Sequence, residues 1–326
     1  MKPSVTILLL GTGATGASIG LALRRAGENF RRVGYDPQAA VARRAQQSGA
    51  IDRAIGRPYA AAAEADLVVM SLAAPHALEV AQAVGADLRP DTVIVSVARL
   101  PAATLSTLRA AFGAAHPLFS AVPFLGARRA LTPGDAPAPA ADLYDGGMLA
   151  ISAPPGTPQE AIQIGLDLAA ILRATPFFLD PAELDSAWAT SETLPELLAA
   201  AMLGSLRANP GWRDQRRLAG ASFARLAAAL QSVAPPEAAG TWVADREHLR
   251  ARLDAVIEEL TSLRSLLGSG DEAALRERLE EWTSLYQEWR TVRAEARPDL
   301  GIEQEGIPTV GMFDRLLGRR PATPKS

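Results

Sequence analysis

Three glycines spaced G-x-G-x-x-G directly after an unbroken apolar run constrain this chain more than any other feature. The run is Val5 to Leu10, and Gly11, Gly13 and Gly16 follow it. Apolar residues without alternation suit a strand buried on both faces, as in a parallel sheet. The first glycine then allows a tight turn, the second lets a pyrophosphate approach the backbone, and the third lets the next helix lie against the strand. That helix, expected over residues 14–26, aims its first amides and the positive end of its dipole at the phosphates. Arg32 to Tyr35 reads as a second strand, and Asp36 stands 20 residues after Gly16. A carboxylate there takes both hydroxyls of an adenosine ribose. The cofactor-binding set read from the sequence is Gly11, Thr12, Gly13, Ala14, Thr15, Gly16, Asp36 and Pro75. Asp36 repels a 2′-phosphate, so NAD is expected. Arg43 and Arg44, a helical turn or two further on, keep NADP as the alternative.

Length and composition set the frame around this unit. At 326 residues the chain exceeds what one core usually supports, so two domains are expected. The net charge is -3 and the 33 basic residues are dispersed, which points away from nucleic acid and membrane surfaces. With no cysteine there is no disulfide, thiolate nucleophile or thiolate metal site. The three histidines, His76, His116 and His248, are too scattered for a metal centre. The first residues lack the separate regions of a signal peptide, and no apolar run approaches the ~20 residues that span a bilayer. A soluble cytoplasmic protein is expected.

Along the chain, helical patterns over 37–49, 59–65, 77–88 and 102–111 alternate with apolar strands over 67–72 and 92–97. Ala73-Ala74-Pro75-His76 and Ser96 to Pro101 fall at strand exits, where open parallel sheets bind ligands. Residues 121–147, rich in Ala, Pro and Gly, read as a long loop near the site. Two further strands, 148–152 and 176–179, flank a helix over 158–173. The expectation is an α/β, Rossmann-type doubly wound parallel sheet over 1–180, then an all-α domain over 181–300, then a poorly ordered or draped tail over 301–326. Helices are expected over 181–208, 213–232, 240–267 and 271–296, the last two forming a hairpin around Gly268 to Asp271. Ile257, Leu260, Leu263 and Leu267 make an apolar stripe that needs cover, and a homodimer is the economical way to supply it.

Three stretches carry a resemblance to the prephenate dehydrogenase family, the NAD(P)-dependent oxidative decarboxylases of tyrosine biosynthesis. His116-Pro117-Leu118-Phe119 resembles the family's G-x-H-P-M-F/A-G segment with its catalytic histidine. Glu183 to Glu196 is similar in register to its E-H-D-x-x-x-A-x-x-S-H-L-P-H helix start, and Leu218 to Phe223 precedes helices like its dimerisation hairpin. The resemblance implies oxidation of prephenate to 4-hydroxyphenylpyruvate, or of arogenate, with hydride passing to the nicotinamide and His116 as base. It also implies a homodimer through the helical domain. The departures are specific. Family histidines fall on Leu184, Thr193 and Glu196, its serine on Arg99, its carboxylate-binding arginine on Ala228 and its glycine on Ser120. Ser96, Arg99 and Arg225 are the remaining candidates for the substrate's carboxylates. The alternative is a relative that has lost prephenate turnover and acts on another small substrate or as a binding subunit.

Overall fold

The computed structural model describes residues 5–27, 30–130, 138–231, 233–295 and 315–316. The chain forms two compact units, one up to Pro181 together with Arg315 and Leu316, the other from Ala182 to Glu295.

The first unit is built on an eight-stranded sheet of order β3-β2-β1-β4-β5-β6-β7-β8. The strands are β1 Val5–Leu10, β2 Phe30–Tyr35, β3 Arg53–Ile55, β4 Leu67–Met70, β5 Val93–Ser96, β6 Leu118–Phe124, β7 Met148–Ser152 and β8 Thr175–Phe178. Between them lie α1 Ala14–Arg25, α2 Ala39–Gln47, α3 Ala74–Val84, α4 Ala102–Phe112, the single turn α5 Ala127–Ala130 and α6 Gln159–Leu172. Every β1 residue is buried. Alternate residues serve opposite faces: Val5, Ile7 and Leu9 pack with Ala17, Ile19 and Leu23 of α1, while Leu8 and Leu10 join Val80 of α3 and Leu108 of α4. Two helix layers on a sheet explain why the central strands carry no polar alternation.

The sheet departs from the sequence expectation in three ways. β6 and β7 pair antiparallel, with Ser120 opposite Ser152, so the sheet is mixed rather than wholly parallel. β6 takes up Ala121 to Phe124 of the expected loop, and the described part of that loop from 138 to 147 packs over α1: the Ala140 amide donates to Ser18 Oγ at 3.1 Å. The sequence also gave no sign of β3, which is only three residues long and half exposed. Within the expected tail, Arg315 donates to Asp167 Oδ2 of α6 at 2.7 Å, and Leu316 is buried in the α1/α6 face of the core. The rest of 301–326 lies outside the described residues.

The second unit is all helical: α7 Pro181–Trp188, which begins at the last residue of the first unit, then α8 Leu194–Leu206, α9 Trp212–Gln215, α10 Ala221–Ala227, α11 Pro235–Ala244, α12 Arg246–Ser269 and α13 Glu272–Glu295. A π-helical turn, Ala189–Thr193, joins α7 to α8, an insertion the sequence did not announce. α12 ends on Gly270 in the left-handed conformation, and Asp271 accepts from the Ala274 amide at 3.0 Å to start α13. Ile257, Leu260 and Leu267 are 58%, 56% and 61% exposed in the isolated chain. No helix among the described residues is long and apolar enough to cross a membrane.

Candidate dinucleotide site

The register of the parallel strands defines two edges of the sheet. Leu8, Val68, Ile94 and Leu118 are level with one another, and Leu10, Met70, Ser96 and Ser120 are level two residues further on. The chain leaves β1, β4 and β5 at the carboxyl edge, where such sheets bind ligands.

The glycine turn occupies that edge and is fixed by contacts that exclude any side chain. Gly11 has φ 91°, its amide donates to the Tyr35 carbonyl at 2.8 Å, and a Cβ on it would stand 2.3 Å from the Ser71 carbonyl oxygen. A Cβ on Gly16 would stand 2.0 Å from the Gly11 carbonyl oxygen, so α1 lies directly on the turn. Gly13 is different: a Cβ there would meet nothing within 4 Å. The open space beside Gly13 fronts the first amides of α1, where Ala14 and Thr15 stand. That is the arrangement a pyrophosphate needs. Thr15 Oγ1 accepts from the Tyr144 hydroxyl at 3.1 Å, a neighbour the sequence reading missed because it lies 129 residues away in the segment taken for a loop.

Asp36 is aimed back at the turn. Its Oδ2 accepts from the Thr12 amide at 2.9 Å, and its Oδ1 accepts from the Gln38 amide at 3.0 Å. The carboxylate is half-buried and fixed beside the turn, as a ribose acceptor requires. A second acid, Glu79 of α3, acts on the same region: the Tyr35 phenol is raised from its ordinary value first by burial, then by the charges of Glu79 and Asp36. Pro75 is exposed in the first turn of α3, and His76 beside it is half-buried at the carboxyl end of β4.

His116 does not share this edge. It lies in the loop before β6, two residues short of Leu118, and the Pro117 carbonyl accepts from the Ile94 amide at 2.8 Å. At ~3.3 Å per residue it is roughly 13 Å along the strand from the level of Ser120. The residue is 7% exposed, and its buried Nδ1 has no hydrogen-bond partner among the described residues. His116 thus stands at the amino edge of the sheet, because the strand that follows it has to cross the sheet before reaching the edge of the glycine turn. The same family pattern also fits Ser120 to Gly126, with Pro123 and Gly126 in place and Val122 where the histidine would stand. A Cβ on Gly126 would come within 2.5 Å of the Asp145 carbonyl oxygen, so the backbone here requires glycine. The closing glycine was the signal that could have chosen this register.

The substrate-side candidates are dispersed. Ser96 is fully buried at the end of β5 and donates to the Ala98 carbonyl at 3.0 Å, which spends its hydroxyl within its own turn. Arg99 is half-buried just beyond. In the second unit Arg225 is exposed on α10, and Glu196, at a position where the family has histidine, is half-buried at the start of α8. Burial raises the Glu196 carboxyl, opposed by a hydrogen bond from Trp242. No group of acids and histidines suited to a metal occurs among the described residues.

A glycine turn closed by backbone contact, a helix start facing open space and a carboxylate returning to the turn define a Rossmann-type dinucleotide-binding protein. Residues 19–168 match the family model described as the prephenate dehydrogenase nucleotide-binding domain. That likeness runs through the first unit from α1 to α6. Among solved structures, one similar chain is the prephenate dehydrogenase of A. aeolicus in complex with hydroxyphenyl propionate and NAD+. It has TM-score 0.77 and 19% identity, over 87% of this chain and 98% of that one. Another is the arogenate dehydrogenase of Synechocystis, with TM-score 0.69 and 17% identity, over 87% of this chain and 100% of that one. At these identities the likeness is one of fold. No curated protein matches the sequence.

Proposed function

We propose that the chain is an NAD-dependent oxidoreductase that oxidises a small acid of the prephenate or arogenate type. The carrying observation is the Asp36 carboxylate held at 2.9 Å from the Thr12 amide beside the open face of Gly13. The pyrophosphate would lie over the amides of Ala14 and Thr15 and the adenosine ribose on Asp36, while Asp36 and Glu79 together repel a 2′-phosphate. With prephenate, the C4 hydride passes to the nicotinamide, the hydroxyl proton to a base, and CO2 leaves as the ring becomes aromatic. His76, at the carboxyl end of β4, is the histidine of this unit on the cofactor's edge and is the better candidate for that base than His116. The likeness to the A. aeolicus and Synechocystis enzymes supports this substrate class.

A second reading is favoured by one observation: Ala228 stands where the family's carboxylate-binding arginine is expected, and an unpaired carboxylate in a closed site weakens binding. On that reading the protein binds NAD but turns over a different small substrate or none. Calorimetry with NAD, followed by NADH formation with prephenate and separately with arogenate, decides between them. NAD binding with turnover of either substrate establishes the first reading, and NAD binding without turnover of both leaves the second. The exposed apolar residues of α12 and α13 also support a homodimer, with Leu260→Glu expected to yield a monomer by light scattering.

A further inference from the structure

A cavity of about 150 Å³ opens on the α3/α4 face of the sheet, between α4, β6 and β7, and lies wholly within the first unit. Leu105, Leu118 and Pro181 supply apolar walls, and Ser106, Arg109, Ser120 and Ser152 are its polar members, Ser106 on the exposed side. Strand alternation puts the serines there: Phe119, Ala121 and Ile151 belong to the core on the α1/α6 face, so Ser120 and Ser152 turn to the other. They stand opposite one another in the antiparallel pair, 0% and 2% exposed. Neither hydroxyl has a hydrogen-bond partner among the described residues. Two buried hydroxyls left unmet cost stability that alanine or valine would spare, unless a polar atom seated in the cavity answers them. Arg109 is half-buried and makes a long 3.5 Å donation from Nη2 to the Leu118 carbonyl.

We propose that this cavity binds a compact carboxylate. Its charge lies against the Arg109 guanidinium, an oxygen accepts from the serine hydroxyls, and its apolar body rests on Leu105 and Leu118. A cavity near 150 Å³ holds about one benzene ring, which sets the size of that body. None of the residues that line it belongs to the cofactor set: Ser120 is level with Leu10, but two strands, β4 and β5, separate β6 from β1 and its glycine turn.

The test is calorimetric titration of the full chain, saturated with NAD, with benzoate and with the uncharged isostere benzamide. Benzoate is expected to bind about tenfold or more tightly than benzamide, and Arg109→Gln to weaken benzoate by about tenfold. NAD affinity, unchanged in that variant, verifies its fold. Absence of benzoate binding at millimolar concentration, equal affinity for benzamide, or binding abolished by NAD would overturn the proposal. Should Arg109→Gln fail to fold, the benzoate and benzamide comparison on the unaltered chain decides the matter.

Discussion

The glycine turn after β1 and the histidine loop before β6 are both short motifs in one sheet, yet they end at opposite edges of it. The turn is held by backbone: the 2.8 Å bond from Gly11 to Tyr35 and the approach of Gly16 to the Gly11 carbonyl leave one conformation. Its chemistry follows from main-chain amides, which go wherever the turn goes. The histidine loop offers only a side chain, and a side chain's edge depends on which residues of the neighbouring segment pair with β5. A motif read by backbone demand keeps its place in the fold, whereas one read by residue identity can slip along the chain.

The strongest break in this comparison is Gly16→Val. With no room for even a Cβ, the variant is expected to lose NAD binding altogether and to unfold several degrees lower, measured by calorimetry and thermal melting. The contrast between edges is sharpened by His76→Asn against His116→Asn. If the substrate is turned over, the first is expected to lower kcat by about a hundredfold, as loss of a general base does, and the second to stay within about twofold. Equal losses in both variants would return His116 to the mechanism. Asp36→Ala follows, with NAD affinity reduced about tenfold to a hundredfold through loss of charged hydrogen bonds, and with discrimination against NADP diminished.

The smallest effect belongs to the helical unit. Burial raises the Glu196 carboxyl above its unfolded value, so the stability it contributes is full below the ordinary carboxylate range, near ~4.3, and is lost as pH rises through the folded value. Glu196→Gln stays neutral and is expected to melt with the unaltered chain near pH 4 and about 2 °C above it at pH 8. A gap of the opposite sign would show that the ionised carboxylate is the form Trp242 stabilises.

Much of the architecture was legible. The unbroken apolar runs announced β1, β4 and β5, and alternating helical patterns announced the doubly wound layers, because burial on two faces leaves no room for polar alternation. β6 was not, since Pro123 and the small residues around it read as loop, and only pairing with β5 and β7 makes them a strand. The π turn at Ala189–Thr193 escaped for a similar reason: its residues suit an α-helix equally well, and the packing of α8 and α12 around it selects the wider turn.

By itself the sequence determined the glycine turn, the acid that returns to it and the two-layered sheet, since each rests on local sterics or on a hydrophobic pattern carried by neighbouring residues. The tertiary structure decided which edge of the sheet His116 faces, that Glu79 and Tyr144 join the cofactor's surroundings, and that Ser120 meets Ser152 beside Arg109. Those outcomes turn on pairing between segments far apart in the chain, where shifting a strand by one residue exchanges every side chain between faces.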